Sequence, residues 1–89
     1  MINTKSLLNK LVIIDDNGLV IYEPTTQEKW NLIKEVRDEL LKQSDWVVIK
    51  SNELGQPIPK EWVDYRQALR DIPQTYATPE EVIFPLQPM

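Results

Sequence analysis

Catalysis needs a nucleophile, an acid/base pair or a metal, and this chain offers few of the side chains that supply them. Its 89 residues include no histidine and no cysteine. That removes the commonest general base, the commonest metal ligand and every thiol nucleophile. Paired carboxylates remain: Asp15 with Asp16, Asp38 with Asp45, Glu80 with Glu81. Each pair has an ordinary structural reading. Asp is common beside hairpin turns, Asp38 and Asp45 fall on a helix face and at a helix end, and Glu80 and Glu81 lie in a proline-rich tail. The only glycines are Gly18 and Gly55, too few for a phosphate-cradling loop. The expectation is a non-enzyme with no catalytic residue, no metal and no cofactor. Side chains suited to binding are better represented. In Trp62-Val-Asp-Tyr-Arg-Gln-Ala-Leu-Arg-Asp-Ile-Pro73, Arg66 and Arg70 are four apart and share a helix face. Trp62 precedes Arg66 by one turn and can lie against its guanidinium, with Asp64 and Asp71 in reach as ion-pair partners. A packed helix with a solvated Arg/Asp face fits this composition as well as an interaction surface of Trp, Tyr and Arg, the residues that dominate binding hot spots.

The elements that position these residues follow from periodicity and punctuation. Residues 1–10 read as a short lead-in with Leu7 and Leu8 as anchors. Two β-branched runs flank Asn17-Gly18 between Leu11 and Glu23. Asn-Gly suits a type I′ turn, so residues 11–23 are predicted to form a hairpin with Asp16 opposite Leu19, Ile14 opposite Ile21 and Ile13 opposite Tyr22. Both faces of that ribbon are apolar. A lone two-stranded ribbon is marginal in water, so at least one face is expected to pack on helices. Thr25 with Glu28 is a capping-box signature, opening a helix over 26–44 with Trp30, Ile33, Leu40 and Leu41 on its apolar side. Asp45 to Lys50 is extended by composition and predicts a short third strand. Residues 51–58 form a loop, and Pro59 opens a second helix over 59–72, whose Trp62, Tyr65, Leu69 and Ile72 make an i, i+3, i+7, i+10 stripe. Pro73 ends it. Residues 73–89, with Pro79, Pro85 and Pro88, are predicted to be an extended arm with Val82, Ile83, Phe84 and Leu86 as apolar teeth. The fold class is α+β within a single small domain, residues 1–89. The helix stripes Trp30/Ile33/Leu40 and Trp62/Tyr65/Leu69 pack against each other and the sheet, and Arg66 and Arg70 anchor Asp45, Asp71 or carbonyls of the arm.

Size and charge narrow the partners. A chain this short buries roughly 60–65% of the surface its unfolded form exposes, so its core is marginal and dependence on a partner is a physical expectation. The formal charge is −4, from ten basic and fourteen acidic residues. The basic residues are scattered, which argues against nucleic acid. No apolar run approaches the roughly 20 residues that span a bilayer, and the N-terminus lacks the apolar core of a signal peptide. Location in the cytoplasm of the producing cell, with no membrane partner, is the expectation. Three tryptophans and seven prolines suit fixed surfaces and extended arms rather than disorder.

The run from Trp30 to Pro88 resembles the phage tail assembly chaperone family, often described as tail fibre assembly proteins. The matching pieces, in order, are Trp30, Arg37-Asp-Glu-Leu-Leu-Lys-Gln-Ser-Asp-Trp46, Gly55-Gln-Pro-Ile-Pro59, Tyr65-Arg-Gln-Ala-Leu-Arg-Asp-Ile72 within the second helix, and Val82-Ile-Phe-Pro85. The chain departs from the family pattern at Phe84, where Trp is usual, and at Tyr76-Ala-Thr-Pro79, where a Gly-Phe-Pro turn is usual. The resemblance implies a role in building a phage tail or tail fibre, in the host cytoplasm during assembly, and no active site. The partner it implies is a tail or tail-fibre protein. The residues expected to make the contact are Trp30, Trp46, Trp62, Tyr65, Arg66, Leu69, Arg70, Val82, Phe84 and Pro85. Two alternatives stand beside an assembly factor: a structural subunit kept in the virion, a homo-oligomer among the options, that grips its neighbours with the arm and the hairpin, and a host-directed binding or inhibitory protein.

Overall fold

A computed structural model describes residues 2–88 of the protein. Its elements are α1 (Thr4–Asn9), β1 (Ile13–Ile14), β2 (Val20–Tyr22), α2 (Thr26–Gln43), α3 (Asp45–Leu54), α4 (Lys60–Arg70) and α5 (Ile72–Thr75), followed by a 3₁₀ turn at Pro79–Glu81 and an extended C-terminal segment. The fold is α+β, mostly helical with one two-stranded antiparallel sheet near the N-terminus.

The start of α2 is the one its sequence encodes. Thr25 Oγ1 accepts the Glu28 backbone N–H at 3.1 Å, and Glu28 Oε1 accepts the Thr25 N–H at 3.2 Å. This capping box satisfies two donors that the helix end would otherwise leave orphaned. The helix stops at Ser44, whose φ −96° and ψ 1° turn the chain directly into α3.

The predicted third strand over 45–50 is a helix. A strand there would need a ladder partner, and the two-stranded hairpin lies elsewhere. The helix satisfies its backbone internally and turns Val47 and Ser51, four residues apart, into the interior. Gly55 stops it in the left-handed region at φ 64°. The Gln56 N–H reaches the Ser51 carbonyl at 2.9 Å and the Gly55 N–H the Asn52 carbonyl at 3.2 Å, which is a Schellman stop. The loop predicted over 51–58 therefore shrinks to residues 55–59.

The lead-in is also ordered. Within it α1 is capped by Asn3, whose side chain accepts the Ser6 N–H at 3.1 Å. Leu8 is buried, while Met1 lies outside the described residues. Nor does Pro73 end helical structure: the chain breaks at Asp71 and resumes as α5, with Pro73 in the first turn, where its missing N–H costs nothing. The arm is accordingly extended at Tyr76 and Thr78 and again after the 3₁₀ turn.

The hairpin forms, but its turn and register differ from expectation. Gly18, at φ 83°, is the turn's only residue with positive φ. Its N–H bonds the Asp15 carbonyl at 3.0 Å, and the Asp15 N–H bonds the Leu19 carbonyl at 2.8 Å. This is the three-residue loop of an ordinary turn followed by a left-handed glycine, not a type I′ turn. Asp15 selects it, because one carboxylate oxygen accepts the N–H of both Asn17 and Leu19 at 2.9 Å. Ile13 faces Tyr22 as predicted, whereas Ile14 faces Val20 rather than Ile21, so Ile21 is the extra residue of a bulge. Neither face packs on the helices. Ile13, Ile14, Leu19, Val20, Ile21 and Tyr22 are all exposed, Leu19 by 64%. The hairpin stands off a helical body in a molecule of 58 × 25 × 19 Å.

The core lies between α2, α3, α4 and the returning C-terminal segment, with α1 closing one end. It contains Leu8, Ile33, Val47, Trp62, Tyr65, Leu69, Ile72, Val82 and Phe84. Ile33 and Leu69, one from each predicted stripe, are 0% exposed.

Candidate functional site

The junction of α2 and α3 is organised by a side chain of α4. One Arg66 nitrogen, Nη1, donates to the Leu41 carbonyl at 2.8 Å and to Ser44 Oγ at 2.5 Å. The other, Nη2, pairs with Asp45 Oδ1 at 3.0 Å. Ser44 Oγ in turn donates to the Leu41 carbonyl at 2.9 Å. The guanidinium therefore places positive charge at the C-terminus of α2, where carbonyls are orphaned and the helix dipole is negative, and it meets an acid in the first turn of α3. Asp45 was among the predicted anchors of Arg66. The Leu41 carbonyl and the buried Ser44 hydroxyl were not, because the helical angle between α2 and α3 is invisible in a segment that reads as a strand. Arg70 is exposed, without an ion pair among the described residues. Asp71 accepts from the Gln67 amide at 2.9 Å.

This clasp fixes the aromatic residues beside it. The Trp46 ring meets Trp62 edge-on with centroids 5.6 Å apart, and Trp62 meets Tyr65 edge-on at 5.9 Å. The partners of Trp62 are therefore two rings, not the Arg66 guanidinium. Trp62 and Tyr65 are buried, and burial pushes the Tyr65 phenol above its ordinary range. Trp46 caps the stack and is 51% exposed.

The C-terminal segment folds back on its own helices. Val82 and Phe84 point inward at 2% and 3% exposure, while Ile83 and Leu86 point out at 63% and 72%. Thr4 Oγ1 in α1 donates to the Val82 carbonyl at 2.6 Å. The Tyr76 hydroxyl donates to the Ile83 carbonyl at 3.2 Å, and Lys29 in α2 pairs with Glu80 at 2.8 Å. Lys29 also holds the Glu80 carboxyl below its ordinary range, chiefly through that hydrogen bond. The Thr4 contact had no sequence signal, since the residues are 78 positions apart.

The ten residues singled out for binding thus divide by placement. Trp62, Tyr65, Leu69, Val82 and Phe84 are interior; Trp30, Arg66 and Pro85 are half-buried; Trp46 and Arg70 are exposed. Among the described residues no cluster of three or more acidic side chains is placed to hold a metal ion, and no helix is long and apolar enough to cross a membrane.

Comparison with known families meets this arrangement in the same part of the chain. The family model described as phage tail assembly chaperone protein matches residues 30–89, about two-thirds of the sequence. The chain belongs to the phage tail assembly chaperone family. The matched span contains the Arg66 clasp, the aromatic stack and the C-terminal segment, and leaves out α1 and the hairpin. No curated protein and no solved structure matches the chain. Tail assembly chaperone membership therefore rests on the helical body, and α1 and the hairpin are read from their own physics.

Proposed function

We propose that this tail assembly chaperone acts without catalysis, by binding a tail or tail-fibre protein in the host cytoplasm during assembly, and that the Trp46 end of the helical body takes part in the contact. The observation that carries this reading is the Trp46 ring, half exposed yet held edge-on against the buried Trp62. Tryptophan contributes large contact area for little conformational entropy, and one whose orientation is already fixed loses less on binding. Arg66 supports the ring indirectly, through Asp45, its neighbour in sequence. The outward-facing Ile83 and Leu86 of the arm and the exposed Arg70 extend the accessible surface of the same matched segment.

The test is pairwise co-purification of the chain with each tail and tail-fibre protein of the phage that encodes it, using wild type and Trp46→Ala. A partner retained by wild type and lost or weakened at least about 10-fold by Trp46→Ala supports the contact, as a truncated aromatic hot spot costs roughly 2 kcal/mol or more. Equal recovery of a partner by both proteins would remove Trp46 from it. Quantitative mass spectrometry of purified particles separates a released factor from a retained subunit: the proposed role predicts abundance in infected lysate and absence from the virion.

A further inference from the structure

The hairpin is the largest feature that the helical body leaves unexplained. Six large apolar side chains, Ile13, Ile14, Leu19, Val20, Ile21 and Tyr22, are 41–64% exposed. They occupy both faces of a sheet that has only two strands, so each strand also keeps one edge without a neighbour. Soluble proteins usually blunt such edges with lysine, proline or a covering element, and an unpartnered two-stranded ribbon is marginal in water. Here the ribbon is instead held in shape from both ends. Asp15 locks the turn through two backbone donors, and at the base the Tyr22 hydroxyl donates to Glu28, the acidic member of the α2 capping box. The same bond holds the Glu28 carboxyl low and pushes the Tyr22 phenol up. A bulge at Ile21 fixes the register. The result is a preorganised apolar ribbon.

Charge narrows the occupant. Between Leu11 and Glu28 there are four acids, Asp15, Asp16, Glu23 and Glu28, and no lysine or arginine. The acids stand at the tip and base, with the apolar residues between them. A second copy that offered its own ribbon would bring another acid-flanked surface on a chain of net charge −4, and like charges at an interface disfavour association. Stacking two copies would also cover only one face of each. A cleft buries both.

We propose that the hairpin is a docking element that inserts into an apolar cleft on the tail-protein partner, the rim of that cleft carrying lysine or arginine. This deepens the preceding reading and rests on it, because the partner is the same tail protein. The acids steer the approach, and the apolar faces supply the attraction once water is excluded.

The experiment uses the full chain and pairwise co-purification and titration with each tail and tail-fibre protein of the phage. Wild type is compared with Asp16→Lys/Glu23→Lys, which takes the tip pair Asp15/Asp16 and the base pair Glu23/Glu28 from −2 to 0 each and leaves the Asp15 carboxylate in place, and with Val20→Thr/Ile21→Thr, which keeps β-branched residues but makes two exposed apolar side chains of β2 polar. Circular dichroism and the thermal midpoint confirm that each variant keeps the helical body. The expected result is at least a 10-fold loss of affinity in both variants, and wild-type binding that weakens between 50 and 300 mM salt. A partner bound equally by wild type and both hairpin variants would overturn the hairpin role while leaving the tail-protein reading intact. If no tail protein binds wild type, that reading itself fails and takes the hairpin proposal with it. Sedimentation showing a wild-type dimer that the hairpin variants abolish would assign the ribbon to a second copy and overturn the proposal by a different route.

Discussion

Replacing Arg66 with alanine tests whether the clasp at the α2–α3 junction holds the fold. The guanidinium is 15% exposed, and it bonds the Leu41 carbonyl, the buried Ser44 hydroxyl and Asp45. Hydrogen bonds from a charged donor contribute about 1.5–3 kcal/mol each when partly buried. Leu41 keeps the bond from Ser44 Oγ at 2.9 Å, so its loss is partial. Asp45 is 55% exposed, which limits that ion pair to less than about 1 kcal/mol. Together these give a cost of about 2–4 kcal/mol. For a domain of this size the total stability is about 5–13 kcal/mol, and each kcal/mol moves the midpoint by roughly 4–8 °C. Arg66→Ala should therefore lower the thermal midpoint, followed by circular dichroism at the helix band, by about 8–30 °C. Arg66→Lys keeps the charge but not the fork that spans Leu41, Ser44 and Asp45 together, so it should recover no more than about half of the loss. Asp45→Asn should cost under about 1 kcal/mol, because its partner's buried bonds remain. A midpoint for Arg66→Ala within about 3 °C of wild type would refute the reasoning, as would Asp45→Asn being the more damaging change.

Other consequences are as direct. Ile33→Ala and Leu69→Ala each empty a fully buried site where α2 meets α4, so urea unfolding should register a loss of about 2–5 kcal/mol for either. Gly55→Ala meets no atom within 4 Å but must adopt φ 64°, so its cost is backbone strain alone, about 1 kcal/mol; a larger loss would mean that the α3 stop has an unrecognised contact. Lys29 depresses the Glu80 carboxyl below its usual 4.5, so the bond stabilises the fold above that value and is lost as pH falls through the lower folded value. The midpoint difference between wild type and Lys29→Gln should then shrink from pH 7 to pH 3, and an unchanged difference would show that Lys29 acts through packing. Deleting residues 78–89 removes Val82 and Phe84 from the core, with the partners of Thr4 and Lys29. Its loss of helix signal and of cooperative melting should show that the arm is part of the fold as well as a candidate contact.

Local chemistry was legible in the sequence wherever one short stretch contained its own answer. Thr25 and Glu28 form the capping box their spacing specifies, Trp62, Tyr65, Leu69 and Ile72 turn one buried stripe inward, and Ile13 faces Tyr22 across the hairpin. Membership of the tail assembly chaperone family was equally readable, from motifs in order along residues 30–89. The tertiary structure decided the rest. Asp45 to Lys50 has strand composition, yet it became a helix, which satisfies its backbone internally while α4 offers Trp62 to Trp46 and Arg66 to Asp45. Phe84 and Ile83 are both apolar neighbours in an extended segment, and only the packing of the helical core determined which one is buried. Thr4 and Val82 meet across nearly the whole chain, a pairing that no local propensity encodes. The hairpin shows the same division from the other side: its formation follows from Asp15, Gly18 and β-branched residues, whereas its exposure follows from where the helices pack without it.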